Sequence, residues 1–172
     1  MISKVKGNYI ESNANFIINL ATCEGIEGSE VAKEFPHVSK ECNKYLLYCE
    51  KNGIDPLGAI QFIPVDTWAL VTVDTIRNNI VMAYDKNYNY IVNCFASIEY
   101  GKIKKQAIES CLLLVKQMIL DNFHELSKYG KIKVVIPYWL GLQSFYNWNY
   151  VENIIKNIFN ERTADIDVQI ME

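Results

Sequence analysis

Short apolar runs rich in β-branched residues alternate along this chain with stretches of helical periodicity, and no other feature narrows the possible folds as far. Phe16-Ile17-Ile18-Asn19-Leu20-Ala21, Tyr90-Ile91-Val92-Asn93-Cys94-Phe95-Ala96 and Ile132–Pro137 are short and nearly continuous in apolarity, the pattern of strands covered on both faces. Between them, Val38–Asn52 has helical spacing at Val38, Cys42, Tyr45, Leu46 and Cys49, and Gly53 can end it. Lys104–Leu126 places Ala107, Ile108, Cys111, Leu112, Val115, Ile119 and Phe123 on one helical face. This alternation predicts a mixed or mostly parallel sheet sandwiched by helices.

The remaining segments fit the same plan. Ile2–Val5 reads as an edge strand, Glu30–Phe35 as a helix interrupted by Pro36, and Ala59–Val65, Trp68–Val73 and Ile80–Tyr84 as further strands. Asn147–Phe159 is a predicted helix and Ile166–Met171 a final strand alternating apolar and polar residues. No internal repeat or linker interrupts the pattern, so residues 1–172 read as one domain, large enough to build a core with no metal, disulfide or cofactor.

Charge and composition remove several classes of function. The net charge of −3, from 20 acidic and 17 basic residues, offers no broad positive field for a duplex nucleic acid. A small anion is still admissible, because backbone N–H groups hold phosphate without any lysine. No run reaches the roughly 18 apolar residues of a membrane helix and the start lacks the apolar segment of a signal peptide, so a cytoplasmic location is expected. The five cysteines are odd in number and form no CxxC pair, which favours buried free thiols. Nothing in the composition decides whether the chain forms an oligomer.

Ligands of open α/β sheets bind outside the carboxyl ends of the strands. Three loops leave strands here: Thr22–Ser29, Ser97–Lys102 and Tyr138–Asn147. In the first, Gly25 and Gly28 either present backbone amides to a phosphate or ribose, or simply turn the chain. In the third, Trp139, Phe145, Tyr146 and Trp148 either sandwich a nucleobase or plug the core. His37 and His124 have no sequence-local partner and are expected on the solvated surface. HExxH, P-loop, GxSxG and zinc patterns are missing, and the carboxylates are too scattered to nominate an acid/base pair.

Several of these segments, in register, resemble the macro-domain family, in particular its small phage and bacterial members of the Appr-1″-p processing type. The stretch Asn15–Pro36 is similar to that family's opening: an Asp, an apolar strand, an Asn, then a VMGxGIA-like loop entering a helix. Gly7-Asn8 resembles its early GN or GD turn, Ile91–Ala96 with Tyr100-Gly101 its central strand and following YG, and Val135–Tyr138 with Trp148–Ile155 its last loop and DWxxVxxII helix. The resemblance implies a three-layer α/β/α fold around a mixed sheet.

It also implies a site for ADP-ribose. Position by position, the adenine-binding Asp falls on Asn15, the distal-ribose Asn on Thr22 and the second loop glycine on Glu30, while Gly28 is kept. Gly25, Ser29, Ala96 and Tyr100 fall in the surrounding ligand segments, as do Trp139, Gly141, Gln143, Phe145, Tyr146 and Asn147. The family's GCGLAGGD run is replaced by Gly141–Asn147, whose Phe145 and Tyr146 bring bulk where glycine admits a phosphate. Glu30 adds like-charge repulsion unless it points away.

These departures favour a non-catalytic binder of ADP-ribose or a related, including cyclic, nucleotide signal. In a phage setting it would act in the host cytoplasm as a counter-defence sponge. A hydrolase of ADP-ribosyl groups or of ADP-ribose 1″-phosphate, with Thr22 as its one catalytic candidate, is the alternative. A protein-interaction scaffold with a filled pocket is the third reading.

Overall fold

The computed structural model describes residues 1–26, 29–66, 76–77, 80–82, 89–99, 102–138, 148–160 and 165–172. In chain order the strands are β1 (Ile2–Val5), β2 (Phe16–Thr22), β3 (Ile60–Pro64), β4 (Ile76–Arg77), β5 (Ile80–Met82), β6 (Tyr90–Ser97), β7 (Ile132–Pro137) and β8 (Ile166–Met171). The helices are α1 (Glu30–Glu34), α2 (His37–Asn52), α3 (Lys105–Asp121), α4 (Phe123–Leu126) and α5 (Trp148–Ile158).

The described strands form one mixed sheet in the order β1-β8-β7-β2-β6-β3-β5-β4. β1, β8, β7, β2 and β6 run parallel, β3 is antiparallel to β6 and parallel to β5, and β4 is antiparallel to β5. Burial follows the strand period of two. Phe16, Ile18 and Leu20 of β2 turn to one face with Val92, Cys94, Val134 and Ile136, where α3 and α5 cover them with Ile108, Val115, Ile119, Val151 and Ile155. Ile17 and Ala21 turn to the other face, which α1 and α2 cover with Val31, Val38, Cys42 and Tyr45. The three-layer α/β/α architecture and the mixed sheet expected from the sequence are both present.

Two expectations change. The helix foreseen over Lys104–Leu126 is broken at Asn122, whose side-chain amide donates to the Met118 carbonyl at 2.9 Å and competes with the helical ladder. His37, expected on the solvated surface, is half-buried, with Nε2 2.8 Å from the Pro64 carbonyl oxygen and its ring edge-on to Phe35; it ties the start of α2 to the end of β3. His124 is exposed as expected. The strand foreseen over Trp68–Val73 lies outside the described residues. Cys42, Cys49, Cys94 and Cys111 are buried free thiols, and Cys23 is only half-buried.

Candidate functional site

β7, β2 and β6 are neighbours, so their carboxyl ends deliver the three loops singled out in the sequence to adjacent positions. The chain leaves β2 toward the α1/α2 face and leaves β6 and β7 toward the α3/α5 face. Such opposite departures mark the edge at which open α/β sheets bind ligands. The β2–β7 ladder covers Phe16↔Val134 and Ile17↔Val135, the amino end of β2 against the middle of β7.

The carboxyl ends of β2 and β6 are fixed to each other by backbone bonds. Their register slips between Ala21 and Thr22, because Ala21 faces Phe95 and Thr22 faces Ser97, leaving Ala96 as the extra residue of a bulge. The freed Ala96 carbonyl accepts from Lys104 N–H at 2.7 Å, and the Cys23 N–H donates to the Ser97 carbonyl at 2.9 Å. The loops after β2 and β6 are thereby bonded to each other.

Thr22 organises its own turn. Its Oγ1 donates to the Gly25 carbonyl at 3.0 Å and accepts from Glu24 N–H at 3.0 Å. A reciprocal backbone pair between Thr22 and Gly25 closes the turn. The Gly25 φ of +132° is one that residues with a Cβ rarely adopt, and an added Cβ would lie 3.4 Å from Asn43 Oδ1. The Thr22 hydroxyl hydrogen and one of its two acceptor positions are taken within the turn.

Ser29 caps α1, its Oγ accepting from Ala32 N–H at 3.1 Å. Glu30 is an exposed first-turn residue paired with Lys33 at 2.9 Å, and its carboxylate complements the helix dipole. Ala96 is fully buried with its methyl group in the α3/α5 core, so only its backbone reaches the loop region.

Asn15 is not brought to this group. It precedes the amino end of β2, roughly 20 Å of extended strand away from Thr22, and its Oδ1 accepts from Lys133 N–H at 2.9 Å. Register alone placed it in the site; in the fold it pins the start of β2 to β7. Gly28, Tyr100, Trp139, Gly141, Gln143, Phe145, Tyr146 and Asn147 lie outside the described residues.

The two residues flanking the aromatic loop are joined. Tyr138 and Trp148 meet edge to face with ring centroids 4.9 Å apart, and Trp148 Nε1 donates to Glu152 Oε2 at 3.0 Å. Lys4 and Lys156 also pair with Glu152, at 3.1 and 2.9 Å, and their hydrogen bonds hold its carboxyl below the usual range. Trp148 is therefore core at its ring and polar at its nitrogen, and the loop base is anchored to β1 and α5.

A row of buried carboxamides escaped the sequence reading. Asn19, Asn93 and Gln61 lie side by side on β2, β6 and β3, each at most 4 % exposed. Asn19 Nδ2 donates to Asn93 Oδ1 at 2.7 Å, Asn93 Nδ2 to Gln61 Oε1 at 3.1 Å, and Gln61 Nε2 to the Glu41 carbonyl at 3.0 Å. Ser29 Oγ donates to Asn19 Oδ1 at the near end. Polar residues inside strands read locally as ordinary alternation, and only the register reveals that they form a line.

Cys23 sits at the rim of a hollow of about 510 Å³ on the α2 side of the loop, beside Glu24, Asn43, Leu47 and Glu50. Burial pushes its thiol up to about 11, with Asp55 and Cys49 adding to the effect. Burial likewise raises Cys42 to about 12, and raises the Tyr45 phenol. Burial thus disfavours the thiolate form of Cys23. The folded state holds these protons more tightly than the unfolded one, so their stabilising contribution is complete below the ordinary thiol value near 9 and is lost as pH rises through about 11 and 12. Urea unfolding followed from pH 7 to 11 is expected to show stability falling above about pH 9. A flat profile up to pH 11 would contradict this burial.

Among the described residues no group of three or more His, Cys, Asp or Glu side chains is arranged for a metal, and no helix is long and apolar enough to cross a membrane. No protein-family model matches the sequence, and no curated protein matches it. Solved structures do match over the whole chain. The macrodomain of Thermus aquaticus DarG aligns with 100 % of this chain and 98 % of its own at 18 % identity and a TM-score of 0.66. A macrodomain protein from Streptomyces coelicolor aligns with 100 % and 99 % at 16 % identity and a TM-score of 0.67. Thermosipho africanus DarTG, solved in complex with ADP-ribose, aligns over 98 % of this chain and 40 % of its own at 16 % identity and a TM-score of 0.57. By its sheet order, its layers and these likenesses, the chain has the macrodomain fold.

Proposed function

We propose that this chain binds ADP-ribose or a closely related nucleotide at the carboxyl edge of β7, β2 and β6, and releases it unchanged. The observation that carries the reading is the convergence there of the three loop origins, with the β2 and β6 loops hydrogen-bonded together through Cys23 and Ser97. The fold likeness to a protein solved with ADP-ribose supports the ligand class. The N–H groups of Thr22, Cys23, Glu24 and Gly25 are taken up in the turn and by Ser97 and so shape the loop; the amides of Gly28 and Ser29, where the loop enters α1, are the ones assigned to the diphosphate, and the aromatic loop with Trp139, Phe145 and Tyr146 to a base.

Thr22 argues for binding over turnover. Its hydroxyl already donates and accepts within its own turn, so it is neither a base nor an activated nucleophile. In this reading the protein removes a nucleotide signal from circulation, cyclic nucleotides included, as a phage counter-defence sponge would in a host cytoplasm.

A thermal-shift screen over ADP-ribose, cyclic ADP-ribose isomers and cyclic di- and trinucleotides tests it. A ligand at about 100 times its Kd adds roughly 2.7 kcal/mol of stability, readily visible as a raised melting temperature. Recovery of intact nucleotide after denaturation is expected. A hydrolysed product, or no shift with any of these nucleotides, would refute the proposal.

A further inference from the structure

We infer that Asn19, backed by Asn93 and Gln61, is a positioning residue for the nucleotide site, holding the end of the β2 loop through Ser29; this rests on the ADP-ribose-class reading above. The chain of donors runs one way: Ala32 N–H to Ser29 Oγ, Ser29 to Asn19, Asn19 to Asn93, Asn93 to Gln61, and Gln61 to the Glu41 carbonyl in the second turn of α2. A one-directional row polarises itself, so each bond strengthens the next.

Ser29 alone meets the need of α1 for a cap with one accepted bond. That bond leaves the hydroxyl hydrogen free to rotate, and donation to Asn19 fixes it. The segment from Thr22 to Ser29 is thereby held at both ends, by the Thr22–Gly25 turn at one and by the carboxamide row at the other. The row also separates two apolar clusters on this face, Ile17, Ile63 and Ile91 on one side and Ala21, Ala59 and Phe95 on the other. Apolar side chains of the same shape would fill that gap at little cost to folding. What leucines there cannot do is orient Ser29.

The test compares Asn19→Leu with wild type in ADP-ribose titration calorimetry at a temperature where both are folded, with Leu112→Ala on the opposite face as a control for lost stability. Asn19→Leu is expected to weaken binding about tenfold, whereas Leu112→Ala lowers the melting temperature and leaves Kd unchanged. Ser29→Ala, which cuts the row from the loop without entering the core, is expected to repeat the loss, and Ser29→Thr, which keeps the hydroxyl, to restore affinity. Wild-type Kd in Asn19→Leu, or equal affinities for the alanine and threonine variants, would overturn the inference. If wild type itself binds no ADP-ribose, the ADP-ribose-class reading fails separately. Amide hydrogen exchange across 22–26 and 29–34 then decides the positioning role, with faster exchange expected in Asn19→Leu and unchanged exchange overturning it.

Discussion

Phe62→Ala is expected to destabilise the fold by about 3–5 kcal/mol, lowering the melting temperature by roughly 6–20 °C. Phe62, in the middle of β3, is 1 % exposed. Its ring packs edge-on against Phe16 at 6.0 Å and Tyr90 at 5.7 Å, and those two stack on each other at 6.1 Å. Three strands, β2, β3 and β6, thus share one aromatic cluster, and truncation leaves a cavity that none of them can close without breaking register. Thermal unfolding of the variant checks this; a loss below about 1 kcal/mol would show that the site collapses freely and that the β3–β6 register is wrong.

The second large effect is expected at Asn93. Alanine there orphans Asn19 Nδ2 and Gln61 Oε1 in the interior, each at about 1–3 kcal/mol, so the total approaches that of losing a large core side chain. Asn93 is fully buried. Denaturant unfolding of Asn93→Ala measures the cost. A near-neutral result would mean that the three carboxamides do not bond to one another.

Those two positions also mark what the sequence discloses and what it hides. Phe62, Ile18 and Val92 declare themselves, because β-branched and aromatic residues packed into short runs have few structures open to them except buried strands. The sheet's mixed character and the α-helical cover follow from the same runs and their spacing. Asn93 looks like a polar interruption, and its meaning depends on Asn19 and Gln61, which lie 74 and 32 residues away. Asn122 breaks a helix whose apolar periodicity continues through Phe123, since a side chain bonding back to its own ladder leaves no trace in the hydrophobic pattern.

The candidate site divides in the same way. Thr22, Gly25 and Ser29 were legible as a glycine-punctuated loop after a strand. Their partners were not: a cap, a closed turn and a bulge at Ala96 are consequences of register. Asn15 shows the hazard of reading roles from motif order, because a strand of seven residues carries its two ends to opposite edges of the sheet. Glu30 shows the complementary case, where a charge that looked hostile to a phosphate is drawn off by Lys33 one helical turn on.

The most direct test of the central claim is a map of backbone amide chemical shifts as ADP-ribose is added. The largest changes are expected at Thr22–Ile26, Ser29 and Ser97–Glu99, with Asn15, His124 and the outer face of α3 unmoved. Changes centred on the α3 face, or none at millimolar nucleotide, would contradict it.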